Sequence, residues 1–374
     1  MTQAPPVERN REGSGDYLPI NAASVRGSRW VRGALVLGLG AFATIFLFTD
    51  FRELWAVLAN ANVWMLALPV LCMGLSYLTM ARSYQGIAIA AGCPVSLTEM
   101  LKITFVANSM NYLVATGGLS GFAVRLYFFT RLGMPSQIAV VVSLAQTFLT
   151  NITLLAFVLV GFAYVFASHT LQGSALIATT ILLVLALIAA AFSALLLLHP
   201  RLRRRTLFWI AQSAYWLMHR LLPNRTPPRT HIWRYQFNLN RGIAFLLSRK
   251  EAMVAPLFYI LTDWFLTILI LYTSFLSVRY WIDFAEVIVG FAVGIVLSFA
   301  SLIPGGLGVM EGSMAAVFSS MGVPFETAVV AVLLFRVAYY LLPLLISLFF
   351  LHGMFVQGTS LSKELSGSRR RGRS

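Results

Sequence analysis

The sequence predicts an all-α polytopic membrane protein with about six full transmembrane helices and two inverted re-entrant helical hairpins. Three observations predict this class. Of the 374 residues, 59% are hydrophobic and 11% are charged, which is far from the balance of a soluble domain. Apolar runs of about 20 residues, the length that crosses the hydrocarbon core of a bilayer, recur along the chain. Two further apolar stretches are interrupted at their middle by glycines.

The apolar runs divide the chain into a membrane domain and two tails. Residues 1–29 are polar and of mixed charge, so we expect a disordered cytoplasmic tail followed by a transmembrane domain over residues 30–355. A cleavable signal peptide would place its apolar region nearer the first residue. Residues 356–374 are rich in arginine and are expected to form a basic cytoplasmic tail. The predicted full spans are 30–49, 64–82, 137–167, 174–199, 252–278 and 326–352.

The two predicted hairpins cover residues 101–131 and 286–321. The first is interrupted by Gly117 and Gly118, and the second by Gly305 and Gly306. Glycine and proline at this density interrupt a helix, and irregular backbone inside a bilayer needs protein or a water-filled cavity around it. We therefore expect each hairpin to return to the side it entered from. Packing contacts between small residues are the alternative role for these glycines.

Charge gives the orientation. No Asp or Glu occurs in residues 101–250, and residues 201–250 alone hold eleven Arg and Lys. The positive-inside rule places this loop in the cytoplasm, and with both termini cytoplasmic every strongly basic segment lies on the inner side of the plasma membrane. A loop with Asp50, Arg52 and Glu53 then lies outside. Within 201–250, an apolar pattern predicts an amphipathic helix on the inner leaflet; a solvated loop is the alternative.

The two hairpin regions resemble each other in sequence. Gly117-Gly118-Leu119 recurs as Gly305-Gly306-Leu307, and Gly133-Met134-Pro135 recurs as Gly322-Val323-Pro324. The preceding spans run in opposite directions, so the two units form an inverted repeat. Such repeats are typical of transporters with a binding site at the repeat interface.

Four ionisable residues stand out in the interior of predicted membrane segments, away from the segment ends: Arg125, Asp263, Glu311 and Arg336. Each costs at least about 2.5 kcal/mol on insertion scales, so such residues indicate function by default. A guanidinium matches phosphate oxygens, and helices that begin after the glycines point their free N–H groups inward. We expect these four residues to form a substrate site with Gly117, Gly118, Gly305 and Gly306. Ion pairs that only neutralise packing defects are the alternative.

Other classes of protein have no support in the sequence. The net charge of +15 comes from membrane-flanking segments, and no nucleic-acid-binding motif accompanies it. No Walker loop, dinucleotide fingerprint, HExxH or Gly-x-Ser-x-Gly motif occurs, so we expect neither catalysis nor a cofactor. The five His residues and the two Cys residues are not at metal-ligand spacing, so no metal site is expected.

The segment from Ile303 to Gly312, Ile-Pro-Gly-Gly-Leu-Gly-Val-Met-Glu-Gly, resembles the signature of the lysylphosphatidylglycerol synthase transmembrane-region family. Gly322-Val323-Pro324, Ala328 and Arg336 extend the resemblance, which covers about residues 30–355. The first half departs from the family pattern. Phe122 and Gln146 stand where an acidic residue and a Glu-Arg pair would be expected.

The resemblance implies a stand-alone flippase-like domain without the aminoacyl-transferase domain of the best-understood members. We therefore expect a translocase that moves a phospholipid or lipid-linked precursor between leaflets, with anionic lipid head groups as partners. The alternatives are a membrane-embedded enzyme acting on lipid or polyprenyl-phosphate head groups, and a membrane scaffold. A protein partner would be a second copy of the chain or a separate lipid-modifying enzyme.

Overall fold

The computed structural model describes residues 51–113, 119–168, 199–221 and 248–350 except residues 63 and 302, with single positions within 180–195 and 237–244. This part is helical and contains no strand, which confirms the all-α class. Its α-helices are α1 (Phe51–Ala59), α2 (Ala67–Ala90), α3 (Leu97–Leu113), α4 (Leu119–Arg131), α5 (Ser136–Ser168), α6 (Pro200–Leu221), α7 (Val254–Ser277), α8 (Phe284–Ser301), α9 (Val309–Ser320) and α10 (Phe325–Arg336).

Short irregular turns flank three of these helices. A 3₁₀ turn, Lys250–Met253, leads into α7, and a second, Pro304–Gly306, lies between α8 and α9. A π-helical turn, Val337–Leu341, follows α10, and the helix then continues to Phe350. A π turn widens the helix locally and is frequent at functional sites.

Helices α2 to α5 and α7 to α10 form two series with the same order of lengths. Each series opens with a helix of 24 residues, followed by one of 17 or 18 residues. A short helix of 13 or 12 residues comes third. Helix α5, of 33 residues, closes the first series, and α10 with its continuation to Phe350 closes the second. The two series therefore match in the order of their helix lengths.

Each series has its own apolar core. One core contains Ile87, Ile103, Phe129 and Val141, which belong to α2, α3, α4 and α5 in turn. The other is centred on α7 to α10 and includes residues such as Ile268. Helices α2 and α7 pack along each other and join the two cores, so the first helices of the two series form the main contact between them.

The outer faces of the long helices are apolar. On α7, Val254, Phe258, Leu261 and Phe265 are exposed at helical spacing. An apolar stripe also continues beyond α10, where Phe349 is 76% exposed. Exposed apolar stripes of this kind are unfavourable in contact with water and favourable in contact with lipid chains.

Three helical stretches in the described residues are long and apolar enough to cross a membrane: Ser136–Gly161, Glu251–Ser277 and Phe325–Phe350. They coincide with three predicted spans and identify an integral membrane protein. Predicted span 30–49 lies outside the described residues, and span 174–199 does so for the most part.

Two segments differ from the sequence prediction. The loop with Arg52 and Glu53 is part of α1, whose Val57 packs against the core. The span predicted to end at Arg82 continues to Ala90, and the Arg82 guanidinium donates to Gln85 within the helix (3.2 Å). In both cases charged residues were predicted to lie in a loop or to end a helix. They are helical in the structure, and long charged side chains have a high helix propensity.

Candidate functional site

The backbone between α8 and α9 is interrupted at three glycines. Gly305, Gly306 and Gly308 have φ values of 58°, 62° and 78°, a left-handed region that other L-residues rarely adopt. A Cβ added to Gly306 would overlap the side chain of Ser298. Both functions considered from the sequence, chain interruption and close packing, therefore apply to Gly306.

Arg336, at the end of α10, binds this interruption. Its Nη1 donates to the carbonyl oxygen of Gly305 (2.8 Å) and its Nη2 to that of Gly306 (3.2 Å). Its guanidinium carbon lies 4.1 Å from the ring centre of Tyr340, a cation–π distance. The interruption leaves carbonyl groups without helical partners, and Arg336 supplies partners for two of them.

Glu311 neutralises Arg336. Its Oε1 lies 2.8 Å from Nε of Arg336, and the side chains of both residues are buried. The contact is an ion pair and not an aligned hydrogen bond, because Nε of Arg336 and Oε2 of Glu311 both lack a hydrogen-bond partner among the described residues. Glu311 lies in the first turn of α9, where the helix dipole favours a negative charge.

Arg125 on α4 has a different environment. It is 6% exposed, and its guanidinium carbon lies 5.2 Å from the ring centre of Tyr84 on α2. Its Nε has no hydrogen-bond partner, and no acidic side chain of the described residues lies within ion-pair distance. The Arg125 guanidinium is therefore buried against the ring of Tyr84, and the described residues provide no counter-ion for it.

Asp263 on α7 is also separate from the ion pair. It is 3% exposed and accepts a hydrogen bond from Ser76 Oγ on α2 (2.5 Å). Among the described residues no Arg, Lys or His lies within ion-pair distance of it. Among the described residues, the four predicted charges thus form one ion pair and two charges without a counter-ion. The alternative that they only neutralise each other fits Glu311 and Arg336 and does not fit the other two.

Of the four glycines predicted to belong to the site, the structure describes two. Gly305 and Gly306 contact Arg336, whereas Gly117 and Gly118 lie outside the described residues. The end of α3 nevertheless approaches the second interruption, because a Cβ on Gly305 would lie 3.2 Å from the carbonyl oxygen of Tyr112. Helix α3 of the first series therefore lies beside the glycine turn of the second series.

Sequence reasoning missed several residues of the site. Tyr340 lies four residues after Arg336, a spacing that places side chains on one helical face, so it was open to prediction. Asn111 accepts a hydrogen bond from the Gly121 N–H near the start of α4 (2.7 Å), and no local pattern signals this contact. Gln146, which stands where the family pattern has a Glu-Arg pair, accepts a hydrogen bond at Oε1 from Ser83 Oγ on α2 (2.9 Å).

The described residues contain no group of three His, Cys, Asp or Glu side chains placed to hold a metal ion. The four buried charges occupy three places: the ion pair of Glu311 and Arg336 at the interrupted helix, Arg125 against Tyr84, and Asp263 beside Ser76.

Comparison with known proteins gives the same family as the motif at the interrupted helix. The model of the lysylphosphatidylglycerol synthase TM region matches residues 30–347. The chain belongs to this family. A UPF0104 membrane protein of Pyrococcus horikoshii is 24% identical over 325 residues, covering 83% of this chain and 93% of the relative.

Two further relatives are phosphatidylglycerol lysyltransferases. The protein from Staphylococcus aureus is 22% identical over 86% of this chain and 33% of its own length. The protein from Staphylococcus haemolyticus is 22% identical over 90% of this chain and 35% of its own length. The chain therefore spans about a third of the lysyltransferases that it matches.

Proposed function

We propose that this membrane protein is a flippase-like lipid translocase that moves a phospholipid or lipid-linked precursor between leaflets. The observation that carries the proposal is the set of four buried charges, two of them without a counter-ion in the described structure. Charge inside a membrane domain is retained where it lines the path of a charged substrate. Membership in a family that includes lipid-modifying proteins supports a lipid as that substrate.

The four charges have distinct roles in this proposal. Arg125 binds the phosphate of the head group, because its guanidinium has no anionic partner among the described residues. Arg336 holds the glycine turn closed through Glu311 and two carbonyl oxygens, and a second phosphate contact forms when the anion replaces Glu311. Asp263 adjusts the charge of the path. Gly117 and Gly118 would give the backbone of the first hairpin the same conformational freedom that Gly305 and Gly306 give the backbone of the second.

The proposed topology has six full spans, two inverted re-entrant hairpins and cytoplasmic termini in the plasma membrane. The matched helix series and the basic segments support it. Labelling with a membrane-impermeant maleimide tests it on Arg225→Cys and Arg370→Cys in a background without Cys72 and Cys93. Both sites should react only after the cells are opened. Reaction in intact cells would reverse the orientation.

The function is tested by leaflet-resolved movement of fluorescent anionic lipids in vesicles that contain the purified protein. Wild-type protein should expose the label to an external quencher, and Arg125→Ala should abolish this movement. Arg131→Ala is the matched control, because Arg131 is an exposed arginine on the same helix. If Arg125→Ala and wild-type protein moved the lipid at equal rates, Arg125 would not take part in lipid translocation.

A scaffold function is the second candidate, favoured by α6. This basic helix exposes Trp209 and Trp216, residues that suit a membrane interface. In that case neutralising Arg201 and Arg205 should impair function in cells, while substitutions at the buried charges should not. The translocase proposal expects the reverse order.

A further inference from the structure

The Asp263 carboxyl group lies where the two helix series meet. Asp263 is on α7, which packs along α2, and Ser76 of α2 donates the hydrogen bond to its carboxyl oxygen. Thr267, one turn along, donates to the Asp263 backbone carbonyl and not to the side chain. The side chain is therefore held by a single neutral hydroxyl among the described residues.

Buried tyrosines lie on two elements that pack against α7, with Tyr77 and Tyr84 on α2 and Tyr339 in the π turn. A tyrosine hydroxyl carries no positive charge that would stabilise a carboxylate. Arg82 on α2 donates to Gln85, Arg125 on α4 lies against the Tyr84 ring, and neither arginine lies within ion-pair distance of Asp263.

The charged groups on the other elements that pack against α7 are already paired or lie at the ends of those elements. Helix α5 contains no Asp, Glu, Lys, Arg or His. On α10, Arg336 is paired with Glu311. On α8, Glu286 lies in the first turn, and the 3₁₀ turn before α7 carries Lys250 and Glu251, at least twelve residues along the chain from Asp263.

An ionised carboxylate in such surroundings is unfavourable. A buried charge without a partner is normally neutralised by taking up or losing a proton, and the bilayer strengthens this tendency. The Ser76 hydroxyl can donate to a carboxylate or accept from a carboxylic acid. The same contact therefore serves both protonation states, which a reversible proton site requires.

We propose that Asp263 is a proton-binding site that couples lipid movement to the pH gradient. This inference rests on the proposed function. Asp263 takes a proton from water on one side and releases it to water on the other as the contact between α2 and α7 changes. A proton bound more tightly in one arrangement than in the other shifts the equilibrium between them, and the lipid and the proton then influence each other's binding reciprocally.

The proton site is tested first by spectroscopy, without any transport. Infrared difference spectra of the protein in lipid bilayers, recorded between acidic and alkaline buffer, should contain the carbonyl band of a protonated carboxyl group. Asp263→Asn should remove this band, and Ser76→Ala should shift its frequency because the hydrogen bond is lost. Glu286→Gln is the matched control and should leave the band in place. A spectrum unchanged by Asp263→Asn would overturn the proposal.

Coupling is tested in vesicles with the membrane potential held at zero. A pH gradient of one unit should change the leaflet ratio of labelled lipid by up to about tenfold if one proton moves per lipid. Asp263→Asn should abolish this change. Lipid that equilibrates between leaflets but ignores the gradient would overturn the coupling and leave the proposed function intact. Vesicles in which no lipid moves at all would overturn both.

Discussion

The buried arginines of the two helix series have different partners. In the second series, Arg336 has a counter-ion, two carbonyl acceptors and the ring of Tyr340. In the first series, Arg125 has the ring of Tyr84 and no acidic partner in the described structure. The two series thus share the order of their helix lengths but not their charge balance. We infer that one arginine stabilises an interrupted helix and that the other is available to a ligand.

The starts of the two short helices differ as well. Near the start of α4, the Gly121 N–H donates to the Asn111 side chain from the preceding helix. At the start of α9, Gly308 provides no side-chain cap, and Glu311 supplies the negative charge of the first turn. The first helix is stabilised by a neutral acceptor and the second by a carboxylate that is shared with Arg336.

The largest expected effect on stability is that of Glu311→Ala. This change leaves the buried Arg336 without its counter-ion, which typically costs about 3–5 kcal/mol. Thermal unfolding of the purified protein in detergent measures the loss. The double variant Glu311→Ala, Arg336→Met removes both charges and should recover much of the stability. A single variant as stable as wild type would mean that the ion pair contributes nothing.

Gly306→Ala comes next, with an expected loss of about 3 kcal/mol. The left-handed backbone disfavours alanine, and the new methyl group would overlap Ser298, a case of overpacking. Gly74→Ala is the matched control, since nothing lies within 4 Å of an added Cβ there, and alanine in a helix should be mildly stabilising. If both substitutions had the same effect on unfolding, the glycine turn would be tolerant of side chains.

Asn111→Ala should cost about 1 kcal/mol, the usual magnitude for loss of a helix cap. The Gly121 N–H would then lack the acceptor that it has now. Asn111→Asp keeps an oxygen at this position and should lose less stability in the same unfolding experiment. The comparison of the two helix starts would be wrong if Asn111→Ala destabilised the protein as much as Glu311→Ala.

The smallest effect on stability is expected for Arg125→Met. Because Arg125 has no acidic partner in the described residues, replacing it by an apolar side chain of similar length should change unfolding by less than about 1 kcal/mol. Lipid movement should nevertheless be lost. A large loss of stability would indicate that Arg125 has a structural role similar to that of Arg336 and would remove the difference between the two series.

The sequence by itself determined the features that depend on local chemistry. The interruption at Gly305 and Gly306 was predictable, because glycine is the residue that adopts a positive φ without strain. The apolar runs likewise predicted the helical class, and the resemblance of residues 303–312 to a family signature predicted the family. The same reasoning named Arg125, Asp263, Glu311 and Arg336 as candidates, since charge within an apolar run is visible without a structure.

Only the tertiary structure decided which of these charges meet. Ser76 and Asp263 are 187 residues apart in sequence, and their contact depends on how α2 and α7 pack. Arg125 follows Gly118 by seven residues and Glu311 follows Gly306 by five, yet Glu311 pairs with Arg336 and Arg125 lies against Tyr84. Ion pairing depends on distances of a few ångströms between helices, and local propensity does not encode those distances.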